Sequence, residues 1–238
     1  MQHAEFVAEI EKQSSALRTA AVSAGPDAPV PTCPRWTVSR LVGHLGRVQS
    51  WVRKALADPT GADTDPGRPP EDWETLLAWF DEQRTGLVAE LSDPEKPAWL
   101  PFPRYPKVAA SWARRQAHEA AIHRLDAEHA LAPEPEVSYG AEFAADGVDE
   151  LIAFMVPGRR DWTKTSATGS VVLYATDVQR GWRVDLAPGV PPEIRPGEGS
   201  GDLTITGTAD QVYRRVWARP SEATVVGDTE LLEPIASP

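Results

Sequence analysis

The spacing of apolar residues changes character near residue 136, and this constrains the fold more than any other feature of the chain. Before that point apolar positions recur about every 3.6 residues in four separate segments; after it, beyond one further helical segment, they begin to alternate. The first segment carries Phe6, Val7, Ile10, Leu17 and Ala21 and ends near Gly25-Pro26. In the second, TVSRLVGHLGRVQSWVRKAL, Thr37 can serve as N-cap, Leu41, Leu45, Val48 and Val52 form one stripe, and Asp58-Pro59 ends the helix. The run DPTGADTDPGRPPED, 58–72, is turn and loop chemistry. The third segment turns Trp73, Leu76, Leu77, Phe80, Leu87 and Leu91 inward and is closed by Pro94. After PAWLPFPRYP a fourth helix is expected over 108–131. Four helices joined by loops fit an antiparallel bundle, whose metal and ligand sites are built between facing helices.

Beyond PEPE, 133–136, one more amphipathic helix is expected over 141–156, and period two then takes over. SVVLYATDVQRGWRVDL reads as two strands around a turn at 179–181. GDLTITGTADQVYRRVWARP reads as a strand over 203–206 turning at Gly207 into a helix, ATVVGD as a short strand and ELLEPI as a terminal helix. The expected organisation is a four-helix bundle, 1–136, followed by a small α+β domain, 137–238.

Charge and composition remove several function classes. A net charge of −11 disfavours nucleic acid as a partner, because that binding draws on clustered Lys and Arg. No stretch approaches the roughly 20 apolar residues that span a bilayer, and MQHAEFVAEIEKQ lacks the pattern of a signal peptide, so no membrane association and a cytoplasmic location are expected. With Cys33 as the single cysteine, an internal disulfide and a multi-thiolate metal centre are excluded.

Within the fourth segment, AHEAAIHRLDAEHA packs three histidines and three acids into an alanine-rich helix. At about 100° per residue, Glu119 and His123 lie about 40° apart and Asp126 within about 60° of His123, while Arg114, Arg124 and Glu128 project on the opposite side. The Glu, His and Asp stripe therefore points toward the core, where ionisable groups need partners or a metal. HEAAIH resembles the zinc-protease signature but fails its geometry: His118 and His123 stand about 140° apart. Glu119 and His123 can converge on one ion, and His44, on the apolar stripe of the second helix, is the candidate third ligand. One Glu and two His with an open fourth position describe a catalytic zinc site, whereas a di-iron centre would need paired Glu-x-x-His motifs that this chain lacks.

Other readings of the same residues stand beside this one. His44 can be a hydrogen-bonded core histidine, and Glu119 with His123 an intrahelical ion pair. Asp126 can orient His123 or pair with an arginine. Cys33 reads as a small packed hydrophobe between prolines, Trp36 as a staple at the entry to the second helix, and His118 and His129 as surface or partly buried groups without a role.

TCPRWTVSRLVGHLGRV, HEAAIHRLDAEHA, AADGVDEL and LTITGTADQVYRRVWARP followed by VVGD together resemble the mycothiol-dependent maleylpyruvate isomerase family over nearly the whole chain. The resemblance implies a DinB-like four-helix bundle followed by a small sterol-carrier-like domain, in an actinobacterial setting. It implies zinc, or another divalent metal, on His44, Glu119 and His123, and mycothiol as thiol cosubstrate. It also implies a C-terminal arginine at the active site, best matched by Arg219, with Arg214 and Arg215 less favoured. Arg35 stands where many relatives have glycine, a departure that leaves the ligands intact but alters an entrance. The function so implied is isomerisation, or thiol transfer to an electrophilic small molecule, by a monomer or weak dimer. A non-catalytic metal- or apolar-ligand-binding protein and a zinc hydrolase remain alternatives.

Overall fold

The computed structural model describes residues 1–236, the side chain of Arg159 excepted. The chain divides into two compact units, 1–101 with 105–137, and 102–104 with 138–238.

The first unit is built on α1 (His3–Ala24), α2 (Val38–Ala57), α3 (Trp73–Glu90) and α4 (Ala109–His129). Each start and stop has a local cause. Gly25, at φ 85°, and Pro26 end α1; the Thr37 side chain accepts from the Arg40 amide at the start of α2; Asp72 accepts from the Thr75 amide at 2.9 Å at the start of α3. Leu17 of α1, Leu41 and Leu45 of α2, Leu76 and Phe80 of α3, and Ala120 and Ala127 of α4 meet in one buried cluster. Val48, expected in that stripe, is only half-buried. Helix α4 packs against α1 and α2, and its small residues let it be buried on nearly every face. His118 and His129 are therefore buried, against the expectation that they sit at or near the surface. The His118 ring meets Phe6 edge-on at 6.1 Å, and His129 Nδ1 donates to the Pro133 carbonyl at 3.1 Å.

Between α1 and α2 the chain folds back in tight turns, with Cys33 N donating to Val30 O (2.9 Å), Trp36 N to Cys33 O (2.8 Å) and Val30 N to Trp36 O (3.1 Å). These bonds fix Thr32, Cys33 and Trp36 with little freedom, although they lie outside any helix. The loop at 58–72 is tied to α2 through Arg47 Nε on Gly67 O (3.2 Å) and Ser50 Oγ on Pro66 O (3.0 Å).

In the second unit, the helix expected over 141–156 is interrupted. It runs as α5 (Ala141–Asp149), widens into a π-helical turn (Glu150–Met155) and resumes as α6 (Val156–Arg159). Pro157 explains the break: it has no N–H for the carbonyl of Ala153, and that carbonyl accepts from Arg104 Nη1 at 3.2 Å instead. The sheet holds β1 (Gly169–Ala175), β2 (Arg180–Leu186), β3 (Glu193–Pro196), β4 (Leu203–Gly207) and β5 (Thr224–Gly227), in the order β3-β2-β1-β4-β5. Strand β1 is central, antiparallel to β2 and parallel to β4. Gln179, at φ 51°, makes the turn between β1 and β2. Helix α7 (Ala209–Val216), capped by the reciprocal Thr208 and Gln211 pair, packs against α5, β1 and β4. The terminal helix expected from ELLEPI is a single 3-10 turn, Thr229–Leu232, where Asp228 accepts from the Glu230 amide at 3.0 Å and Pro234 prevents regular continuation.

Candidate metal centre

Three side chains from two helices converge in the first unit. Glu119 Oε1 lies 3.1 Å from His44 Nε2 and 3.3 Å from His123 Nε2, and one donor atom from each of the three residues falls within 4.8 Å of the others. Two of these separations are close to the roughly 3.4 Å edge of a tetrahedron with bonds of about 2.1 Å, so the donor set fits a zinc-sized ion with nitrogen and oxygen ligands. Side-chain exposure is 34% for His44, 17% for Glu119 and 10% for His123, which leaves access on the His44 side.

The surrounding groups aim these donors. Arg115, one turn before Glu119 and buried, holds the second carboxylate oxygen at 2.9 Å, leaving Oε1 toward the imidazoles. His123 Nδ1 donates to Asp126 Oδ2 at 2.9 Å, which turns Nε2 toward Glu119. Asp126 is fully buried and also accepts from Thr32 Oγ1 at 2.6 Å and from the Cys33 thiol at 3.6 Å. Of the two roles open to Asp126, orienting His123 is therefore realised, and Cys33 is a donor as well as a packed group. Trp36 does more than staple a helix, since its ring lies 4.7 Å from that of His44 and 5.7 Å from that of His123. Sequence reasoning passed over Thr32 and Arg115. Arg115 had a readable signal, its four-residue spacing from Glu119; the contact of Thr32 with Asp126 spans 94 residues and had none.

The electrostatics follow from this packing. Burial alone would push the Glu119 carboxyl up, but hydrogen bonds from His123 and His44, with the charges of His123 and Arg115, hold it well below the ordinary carboxylate range. Burial alone would likewise lower His123, yet its bonds to Asp126 and Glu119, with their charges, raise it to about 9. In the metal-free protein, then, Glu119 is an anion and His123 an imidazolium at neutral pH. A metal ion held here would have to displace a proton.

Two cavities open beside His44. One of about 410 Å³ is lined by Trp36, Ser39, Arg40, Gly43, His44, Arg47, Pro69, Pro70 and Leu76. A smaller one, about 280 Å³, is lined by His44, Arg47, Val48, Trp51 and Pro66. Arg219 lies in the second unit, just after α7, and is buried; its amide bonds Arg214 O at 2.9 Å and its Nη1 donates to Trp217 O at 2.7 Å. Ala218 before it takes φ 53°, a left-handed conformation uncommon for alanine, and so turns the chain sharply at this arginine. Arg214, the less favoured alternative, forms an ion pair with Asp210 at 3.0 Å.

Residues 7–128 match the mycothiol maleylpyruvate isomerase N-terminal domain, and residues 142–234 the MDMPI C-terminal domain. The chain belongs to the mycothiol-dependent maleylpyruvate isomerase family. It is thus a member of a family of enzymes. No curated protein sequence matches it. Among solved structures it is similar to a mycothiol-dependent maleylpyruvate isomerase, at 15% identity, covering 96% of this chain and 95% of that one with a TM-score of 0.63. A histidine-to-alanine mutant of a mycothiol-dependent maleylpyruvate isomerase matches with the same identity and coverage and a TM-score of 0.60. The likeness covers both the helical first part and the small sheet-containing second part described above. No described helix is long and apolar enough to cross a membrane.

Proposed function

We propose that the chain is a mycothiol-dependent isomerase or thiol transferase acting on an electrophilic small molecule, with His44, Glu119 and His123 holding a divalent ion, zinc first. The observation that carries this reading is the convergence of two imidazoles and one carboxylate beside an open cavity, in a chain of this family. Zinc at such a site acts as a Lewis acid that makes thiolate, the reactive form of a thiol ionising near pH 8.5, available at neutral pH.

The protein's own groups supply the rest. Asp126 fixes the ring of His123 and Arg115 fixes the carboxylate of Glu119, so both donors are already aimed at the place the ion would take. Trp36, against both imidazoles, excludes water from one side. In an isomerisation the cosubstrate sulfur adds to an electron-poor alkene carbon, the electron pair moves into the conjugated carbonyl as an enolate, the new single bond rotates, and loss of the thiolate restores the alkene in the trans form. In a transfer, protonation of the enolate releases the adduct instead. Arg219 is retained as the residue that holds a substrate carboxylate or the enolate, on the strength of the sequence resemblance.

The test is turnover of an electrophilic alkene by the metal-loaded protein with and without mycothiol. Conversion that requires mycothiol supports the proposal. Conversion without any thiol favours a hydrolase, and ligand retention without conversion a carrier; either would overturn it.

A further inference from the structure

We infer that the cavity beside His44 contains an anion subsite, formed by Arg40 and Arg47, that takes a carboxylate of the electrophilic substrate in addition to the group proposed for Arg219. The inference rests on the functional reading above and adds to it two specificity-determining residues.

Helix α2 places Arg40, His44 and Arg47 four and three residues apart, hence on one face, and all three line the 410 Å³ cavity. The pairing of the arginines sets this place apart. Elsewhere in the first unit Arg18, Arg53, Arg84, Arg115 and Arg124 each hold a carboxylate at 2.7 to 3.5 Å. Among the described residues Arg40 and Arg47 hold none. Arg40 lies over the Trp36 ring, 5.8 Å from its centroid, and Arg47 spends only its Nε, on the Gly67 carbonyl. Arg35 and Arg68 are likewise without a carboxylate, are exposed, and are adjacent in sequence to the lining residues Trp36 and Pro69.

In a chain of net charge −11, four arginines of the first unit that hold no carboxylate, Arg35, Arg40, Arg47 and Arg68, thus line one cavity or adjoin its lining in sequence, next to the candidate metal ligands. Like-charged guanidiniums kept together without counter-charges favour an anion, and the planar fork of arginine suits a carboxylate. A positive rim on an acidic protein also draws anionic substrates toward this opening in preference to the rest of the surface. Placement beside His44 favours the electrophile, whose conjugated carboxylate has to be held still while the neighbouring bond rotates.

Succinate, an unreactive dicarboxylate, is the probe. Titrated calorimetrically into the full-length metal-free protein, it is expected to bind, and to bind roughly tenfold more weakly in Arg40→Gln and in Arg47→Gln, with dimethyl succinate not binding. Using metal-free protein excludes direct ligation of the probe by an ion. Arg40→Gln is the cleaner variant because Arg47 also tethers the 58–72 loop, and Arg40→Lys is expected to recover part of the affinity. In turnover, succinate should compete with the electrophile and not with the thiol, and both Gln variants should raise KM for a carboxylate electrophile while sparing kcat and KM for its methyl ester. Unchanged succinate binding in both Gln variants would overturn the subsite, and competition against the thiol would overturn its assignment to the electrophile. If the wild type shows no thiol-dependent turnover, the functional proposal fails while the calorimetric arm still decides the subsite.

Discussion

Asp126→Asn is expected to weaken zinc binding by a factor that grows with pH. The Asp126 carboxylate is fully buried, accepts from His123, Thr32 and Cys33, and helps hold His123 as an imidazolium up to about pH 9. Below that pH a metal ion competes with a proton for Nε2. The apparent affinity of the wild type should therefore rise about tenfold per pH unit between pH 7 and 9, roughly 100-fold in all. An asparagine keeps the shape but not the charge, so His123 moves back toward its ordinary 6.5 and the affinity of the variant levels off at a lower pH. Losing a partner that orients a ligand costs about 10- to 100-fold in affinity. That deficit should be full near pH 9 and narrow toward pH 7, where proton competition handicaps only the wild type. Chelator competition from pH 6.5 to 9, with calorimetry in two buffers to count released protons, reads both quantities. Parallel affinity curves for wild type and variant over that range would refute the linkage between Asp126, His123 and the metal.

The metal-free protein should lose stability in alkali. His123 is raised from 6.5 to about 9 on folding, so its contribution is complete below pH 6.5 and gone above about 9, on the order of 3 kcal/mol by denaturant titration at the two limits. Glu119 runs the other way, contributing above its ordinary 4.5 and losing that as pH falls through its depressed value. Gly46→Ala should destabilise by about 1 to 3 kcal/mol, because a Cβ there would come within 2.7 Å of the Trp79 ring where α2 meets α3; an unchanged melting temperature would show that the ring yields freely. Arg219→Ala is expected to lower turnover while leaving the metal content unchanged, and an unaltered rate would remove it from the mechanism.

Much of this was legible because helical periodicity reports which way a side chain points. The wheel separated Glu119 and His123 from the nearby His118, and the Leu41 and Leu45 stripe carried His44 to the same place. The wheel misjudged His118 and His129 because it assumes one buried face, and α4 is enclosed on nearly every side. Strand β3 was missed for a related reason. Pro191, Pro192 and Pro196 mark a short edge segment without alternation, paired only to β2. The break at 150–155 was signalled by Pro157, but its relief by Arg104, nearly fifty residues earlier, was not. Contacts across such separations, including Thr32 with Asp126, exist only once the chain is packed.

The most direct test is metal content measured by mass spectrometry on the purified protein and on His44→Ala, Glu119→Ala and His123→Ala, with circular dichroism to verify the helices. The account predicts about one zinc-sized divalent ion per chain in the wild type and less than about a tenth of that in each variant, with helical content kept. Full metal occupancy in all three variants would contradict it.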